Sequence, residues 1–203
     1  MSGETMIAFF TSWPMWITIA PILLCSVISA AAIIERLIFF RKINLDYRAI
    51  IGSVTHHLRD GKAGDAAAVL GAYPGPLIDI IRDVAAGTGR RDDTEGIILG
   101  ASRSAIVAIE KNVGIIATMA TVSPMLGLLG TVTGLLKAFM AMYHGGPDAS
   151  TMLSYGVAEA LLTTILGLMV AIPSWIFYNT MVSRVDFYVR EIEYIANSMS
   201  SAG

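Results

Sequence analysis

Charge is what this sequence has least of. Asp, Glu, Lys and Arg supply 15% of its 203 residues, where a water-soluble domain carries about 25%. That shortfall excludes a chain that is simply one soluble globule. Cysteine is nearly absent too. Cys25 is the single one, so no disulfide forms within the chain, and in an apolar run it reads as a small buried side chain. Histidine is sparse as well: His56 and His57 are adjacent and point to different faces of a helix, and His144 stands far off, so no metal site is expected. No basic patch with interleaved aromatics is present, and the net charge is −2, so no nucleic-acid partner is expected. Neither a Ser–His pair, a His-Glu-x-x-His helix nor paired membrane aspartates occur, which argues against an enzyme and against a cofactor. The lack of an internal repeat disfavours a small-solute transporter. No Lys or Arg precedes the first apolar stretch and no small-residue cleavage site stands out, so that stretch is expected to be retained as a helix rather than removed as a signal peptide.

What is abundant is apolar surface. Hydrophobic residues make up 55% of the chain, concentrated in three runs. Ile17–Phe40 is interrupted only by Glu35 and Arg36, Val113–Tyr143 only by Lys137, and Ser154–Val182 only by Glu159. Each exceeds the roughly 20 residues that cross a bilayer. The expected fold is an all-α integral membrane protein with three transmembrane helices. Loop charge sets its orientation. Arg41, Lys42, Arg48, Arg59, Lys62, Arg82, Arg90, Arg91, Arg103 and Lys111 fall between the first two runs, and Arg184 and Arg190 follow the third. The positive-inside rule then predicts an N-out, C-in chain. Its divisions are an outer segment 1–16, a first span 17–40, a cytoplasmic helical loop 41–112, a second span 113–143, an outer turn 144–152, a third span 153–182 and a cytoplasmic C-terminal helix 183–203.

Within the loop, Tyr47–Leu58, Ala63–Leu70 and Leu77–Ala86 read as short helices, separated by Tyr73-Pro74-Gly75-Pro76 and ended by Gly87-Thr88-Gly89. From Asp92 onward no proline intervenes before Pro124, so one long helix is expected to run into the second span. In the tail, Val185, Val189, Ile192, Ala196 and Met199 form a heptad-like stripe. Its polar face is mixed in sign, which favours a bundle between subunits over a helix packed on its own loop or lying on the bilayer.

The second and third runs are rich in small and hydroxylated residues. Gly127, Gly130 and Gly134 in one and Gly167 in the other suit close helix approach. Pro124 and Pro173 each remove a helix donor and are expected to kink their spans, with Thr121 and Ser123 placed to re-satisfy carbonyls near Pro124. At a 1.5 Å rise per residue from the turn, Thr131 and Thr164 both lie about 18 Å down antiparallel helices. Glu159 and Lys137 lie about 10 Å and 9 Å down. Glu159 is the one carboxylate in its run, and an acid there costs about 2.5–3.5 kcal/mol, so it invites a functional explanation. Two readings stand side by side: Glu159 and Lys137 pair as a structural salt bridge, or Lys137 snorkels to the headgroups and leaves Glu159 facing a polar cavity as a proton relay.

Gly127-Leu-Leu-Gly-Thr-Val-Thr-Gly134, Gly156-Val-Ala-Glu-Ala-Leu-Leu-Thr-Thr-Ile-Leu-Gly-Leu-Met-Val-Ala-Ile-Pro-Ser-Trp-Ile-Phe-Tyr-Asn179 and Glu35-Arg36-Leu37 together resemble the MotA/TolQ/ExbB proton-channel family. Three spans resemble its ExbB/TolQ branch more than the four-span flagellar branch. The resemblance implies a multi-pass stator subunit of the bacterial cytoplasmic (inner) membrane, embedded in membrane lipid. It implies a homo-oligomer of five copies around a pore, lined by spans two and three. An ExbD/TolR-like single-span partner would bring a membrane aspartate, and a TonB/TolA-like periplasmic protein would receive the work of the proton-motive force, for outer-membrane transport or envelope maintenance. By motif position, Glu159 and Thr164 match the family's functional glutamate and pore threonine and Thr131 the second-span pore threonine, with Thr163 beside them. Lys137 has no counterpart role. Protons are then expected to pass Glu159 and reach the partner carboxylate near Thr131 and Thr164. The alternative of a different class is a non-conducting scaffold that holds partner helices together.

Overall fold

The computed structural model describes residues 13–60, 63–87 and 91–202, and all regular structure among them is helical. Seven helices follow in order: α1 Trp16–Lys42, α2 Tyr47–Arg59, α3 Ala63–Gly71, α4 Pro76–Gly87, α5 Arg91–Glu110, α6 Val113–His144 and α7 Ala149–Ala202. Three stretches are long and apolar enough to cross a membrane: Trp16–Lys42, Leu99–His144 and Ala149–Ile195. They contain the three runs expected. The short loop helices also fall where the pattern puts them. Most of the segment before the first span, the Thr88-Gly89 part of the second break, and Lys62 and Arg90 lie outside the described residues.

Local chemistry explains the helix ends. The Asp46 carboxylate accepts from Ala49 N at 3.2 Å and caps α2. Pro76 opens α4, where its missing N–H costs nothing, and Gly75 before it sits at φ 139°. Between α6 and α7 the chain reverses on Gly145 and Gly146 at φ 65° and 114°, conformations that glycine adopts without strain. Met152 N then donates to Asp148 O at 2.9 Å, the first bond of α7. The long helix expected from Asp92 is interrupted once. Lys111 and Asn112 form a turn between α5 and α6, with Asn112 at φ 61°, a backbone that Asn tolerates better than most residues.

Among the described residues, those up to 34 with 114–179 form one compact unit, and those within 35–113 with 180–202 form a second. In the first, the upper part of α1 joins the α6–α7 hairpin, and Ser29 and Ser174 share a buried hydrogen bond of 2.6 Å. Both α6 and α7 run unbroken through Pro124 and Pro173. Thr121 and Ser123 donate to Ala117 O and Met119 O, not to the Ala120 carbonyl that Pro124 leaves without a donor.

In the second unit, α4 packs on α5 and α2 on α3. Leu70, Leu77, Ile78, Ile80, Ile81 and Ile109 are among its fully buried aliphatic side chains. Part of the tail stripe is used within the chain: Val185 and Ile192 are buried, as are Tyr188 and Ile195 beside it, Tyr188 stacks on Phe40 at 5.7 Å, and Arg48 reaches Glu191 at 3.4 Å. This part of the apolar face meets the chain's own residues where a bundle between subunits was expected, because periodicity does not say whose surface a face meets; the side chains of Ala196 and Met199 lie outside the described residues. Arg36 is 2% exposed at the edge of this core. It donates to Glu35 Oε1 at 2.5 Å, to Ala108 O at 3.2 Å and to Ile109 O at 3.4 Å, while Asn112 Nδ2 donates to Glu35 Oε2 at 2.6 Å. The Glu35–Arg36 pair thereby satisfies carbonyls at the end of α5 and holds the turn that follows.

Candidate proton-pathway site

Small residues fix the hairpin first. A Cβ built on Gly127 would stand 3.0 Å from Thr163 O, one on Gly134 2.8 Å from Gly156 O, and one on Gly167 2.6 Å from Ser123 O. Any real side chain there would force the helices apart. Gly127, Gly130 and Gly134 of α6 thus mesh with Thr163, Ala160, Gly156 and Gly167 of α7, a dry seam of near-backbone contact. Gly156 belongs to this seam as fully as the glycines singled out from the sequence; its spacing from Ala160, Thr163 and Gly167 was the available signal.

Two polar pairs bridge the helices across that seam. Thr131 Oγ1 and Thr164 Oγ1 share a hydrogen bond, either being the donor. Each also approaches backbone oxygens: Thr131 Oγ1 lies 3.1 Å from Gly127 O and 3.3 Å from Ala160 O, and Thr164 Oγ1 lies 3.3 Å from Ala160 O. One hydroxyl has one proton to give and two lone pairs, so this cluster has more acceptors than donors. It can take a proton donor from outside the pair. The second bridge is ionic. Lys137 Nζ meets Glu159 Oε1 at 2.6 Å, with the two side chains 19% and 14% exposed. Of the two readings left open by the sequence, the structure has the paired one. Depth along the helices foretold both meetings.

Rotation around the helices separates them. From Glu159 to Thr164 the turn about α7 is about 140° net, and from Thr131 to Lys137 it is about 120° about α6. Because each pair bridges the same two helices, the hydroxyl pair and the ion pair flank the glycine seam on opposite sides. Thr163 lies in the seam itself. It is fully buried, and its hydroxyl turns back to Ala160 O at 2.9 Å and Glu159 O at 3.2 Å. The structure therefore brings Thr131 together with Thr164, and Lys137 together with Glu159, and places Thr163 between the helices as a packing residue. On the hydroxyl side, Leu128 and Leu135 of α6 and Leu161 and Leu168 of α7 are exposed. That flank is mostly apolar around the hydroxyl pair, with the exposed hydroxyls of Thr121 and Ser154 farther along the same helix faces. On the ionic side Thr133 is buried, donating to Gly130 O at 3.1 Å. Among the described residues no His, Cys, Asp and Glu cluster could hold a metal ion.

Comparison with known proteins places these residues in a wider set. A family model described as the MotA/TolQ/ExbB proton channel family matches residues 82–194. That stretch includes both polar pairs and the whole glycine seam. The chain is 30% identical over 182 residues to the ExbB-like 3 protein of Synechocystis sp., spanning 88% of this chain and 85% of that one. It is 40% identical over 102 residues to the Tol-Pal system protein TolQ of Haemophilus influenzae, covering 47% and 45% of the two chains. It is 42% identical over 94 residues to the biopolymer transport protein ExbB of Aquifex aeolicus, covering 46% and 64%. The chain spans most of the first of these relatives but less than two thirds of the other two.

Proposed function

The chain belongs to the MotA/TolQ/ExbB proton channel family, on its ExbB/TolQ-like side, and from that premise we propose that it is a proton-conducting stator subunit of an energy-transducing complex in the bacterial inner membrane. One observation carries the reading: a hydroxyl pair, Thr131 with Thr164, on the exposed apolar flank of a helix hairpin too hydrophobic for water. A polar pair bridging two helices within such a surface suits a protein helix that carries a matching polar group. The second and third runs offer no acid on that flank, so the titrating group comes from a partner. A carboxylic acid set against Thr131 and Thr164 can donate to a hydroxyl oxygen; as a carboxylate it can accept from a hydroxyl. The same pair therefore serves both protonation states. Neutralising the partner's charge changes its preference for this flank, and with it the direction in which the partner helix is biased.

The rest of the assembly follows from the same reading. The partner is a single-span helix with a membrane aspartate, of the ExbD/TolR kind. Copies of this chain, five in number, surround it with their hydroxyl flanks inward, and a TonB- or TolA-like periplasmic protein receives the motion. The loop cations put the N-terminus outside, with spans at 17–40, 113–143 and 153–182, and the helical loop and tail in the cytoplasm. Membrane vesicles holding the chain with its single-span partner test this. Under the proposal, a protonophore alters cross-linking or protease sensitivity of the partner. A non-conducting scaffold predicts no response to the collapsed gradient.

A further inference from the structure

A membrane carboxylate invites the assumption that it carries the proton. The geometry of this hairpin points elsewhere. Glu159 is on the opposite side of the glycine seam from Thr131 and Thr164, and its oxygen already accepts from Lys137 Nζ at 2.6 Å. The helices around the pair are closed tightly. A Cβ built on Gly134 would lie 3.0 Å from Ala160 Cβ and one on Gly156 2.8 Å from Ala138 Cβ. Ala138 and Ala160, the chain neighbours of Lys137 and Glu159, are fully buried. To join a route past the hydroxyls, Glu159 would have to leave its ammonium in a low-dielectric setting and rotate α7 against a seam with no slack.

We infer that Lys137 is a positioning residue whose ammonium ties Glu159 to α6 as a fixed anion, so that this pair clamps the turn end of the hairpin while the proton route runs along the opposite, hydroxyl flank. The inference rests on the proton-channel reading for the location of that route. Removing one member of a buried ion pair leaves the other charge uncompensated and is strongly destabilising, whereas replacing both by uncharged groups of similar size is close to neutral. A tie and a relay therefore answer differently to the same substitutions.

The experiment uses membranes containing the full chain with its single-span partner and reads two quantities, the Tm of the extracted complex and proton flux into vesicles. The variants are Glu159→Gln, Lys137→Met, Lys137→Arg and the double Lys137→Met/Glu159→Gln. The tie predicts that Glu159→Gln lowers both Tm and flux, that Lys137→Arg keeps both, and that the double variant regains both although it has no carboxylate at all. A double variant that stays as inactive as Glu159→Gln overturns the inference and returns Glu159 to the proton route. So does a Glu159→Gln complex that melts with the wild type. Wild-type vesicles without proton flux would refute the channel reading itself, and the Tm comparison would still decide the tie.

Discussion

Gly130→Ala is the smallest change that probes the hairpin. A Cβ at position 130 would fall 2.5 Å from Thr163 Cβ and 2.8 Å from its Cγ2, well inside contact distance. Thr163 has no room to yield: it is fully buried, and its hydroxyl is engaged with Ala160 O at 2.9 Å. Forcing a methyl into a packed site costs about 1–3 kcal/mol. Against that, exchanging glycine for alanine inside a helix returns about 0.5–1 kcal/mol. The net expectation is a loss on the order of 1–2 kcal/mol. Gly52→Ala, inside α2 with nothing within 4 Å of the added Cβ, isolates the second effect and should raise stability by about 0.5–1 kcal/mol. A third variant closes the comparison. Thr163→Gly removes every atom that the new methyl meets, so Gly130→Ala/Thr163→Gly should be more stable than the sum of the single changes allows. Thermal or denaturant unfolding of the purified complex measures all four. A Gly130→Ala complex at least as stable as wild type would refute the tight seam, and so would strict additivity in the double variant.

Further expectations concern other parts of the chain. Arg36→Leu removes a buried cation that serves Glu35, Ala108 O and Ile109 O; hydrogen bonds to a charged group contribute about 1.5–3 kcal/mol each at most, so unfolding should show a loss of roughly 2–3 kcal/mol overall. A photo-crosslinker at Leu135, on the hydroxyl flank, should capture the single-span partner, while one at Leu126, on the Lys137 side, should not; gel analysis of irradiated membranes reads the difference. Burial, followed by the nearby Tyr188 and Glu191, pushes the Tyr47 phenol above its ordinary value, so the folded loop prefers the neutral form. That stability is complete below the ordinary value of about 10 and is lost as pH rises through the raised one. Tyr47→Phe should flatten the alkaline part of a stability–pH curve, at the expense of the bond its hydroxyl donates to Ile43 O; an unchanged alkaline limb would contradict the assignment.

The sequence revealed depth better than direction. Three apolar runs, three short loop helices and the glycine turn were legible because each depends on local pattern, and the family follows from two long motifs. Rise per residue also matched Thr131 with Thr164 and Lys137 with Glu159, since antiparallel helices joined by a short turn share a depth scale. Which flank each pair occupies was not legible in the same way. Rotation becomes informative only once the faces in contact are known, and those are set by the mesh of Gly127, Gly130 and Gly134 with Gly156, Ala160, Thr163 and Gly167. The turn at Lys111–Asn112 escaped because the apolar spacing continues across it, although Asn after a helix end is a recognised stop signal. Asn112 also meets Glu35 far away in sequence, a tie no local pattern contains. The tail helix shows the complementary limit: its apolar stripe was legible, but not that Phe40 of the same chain stacks on Tyr188 beside it.

Proton flux into vesicles holding the chain and its single-span partner, with Thr131→Val/Thr164→Val set beside wild type, bears most directly on the hydroxyl flank. Valine keeps the shape of threonine and removes only the polar spot, so the assembly should form in equal amount and conduct far less. Equal flux from the two would place the proton route somewhere other than Thr131 and Thr164. A complex that no longer assembles would make those hydroxyls packing groups.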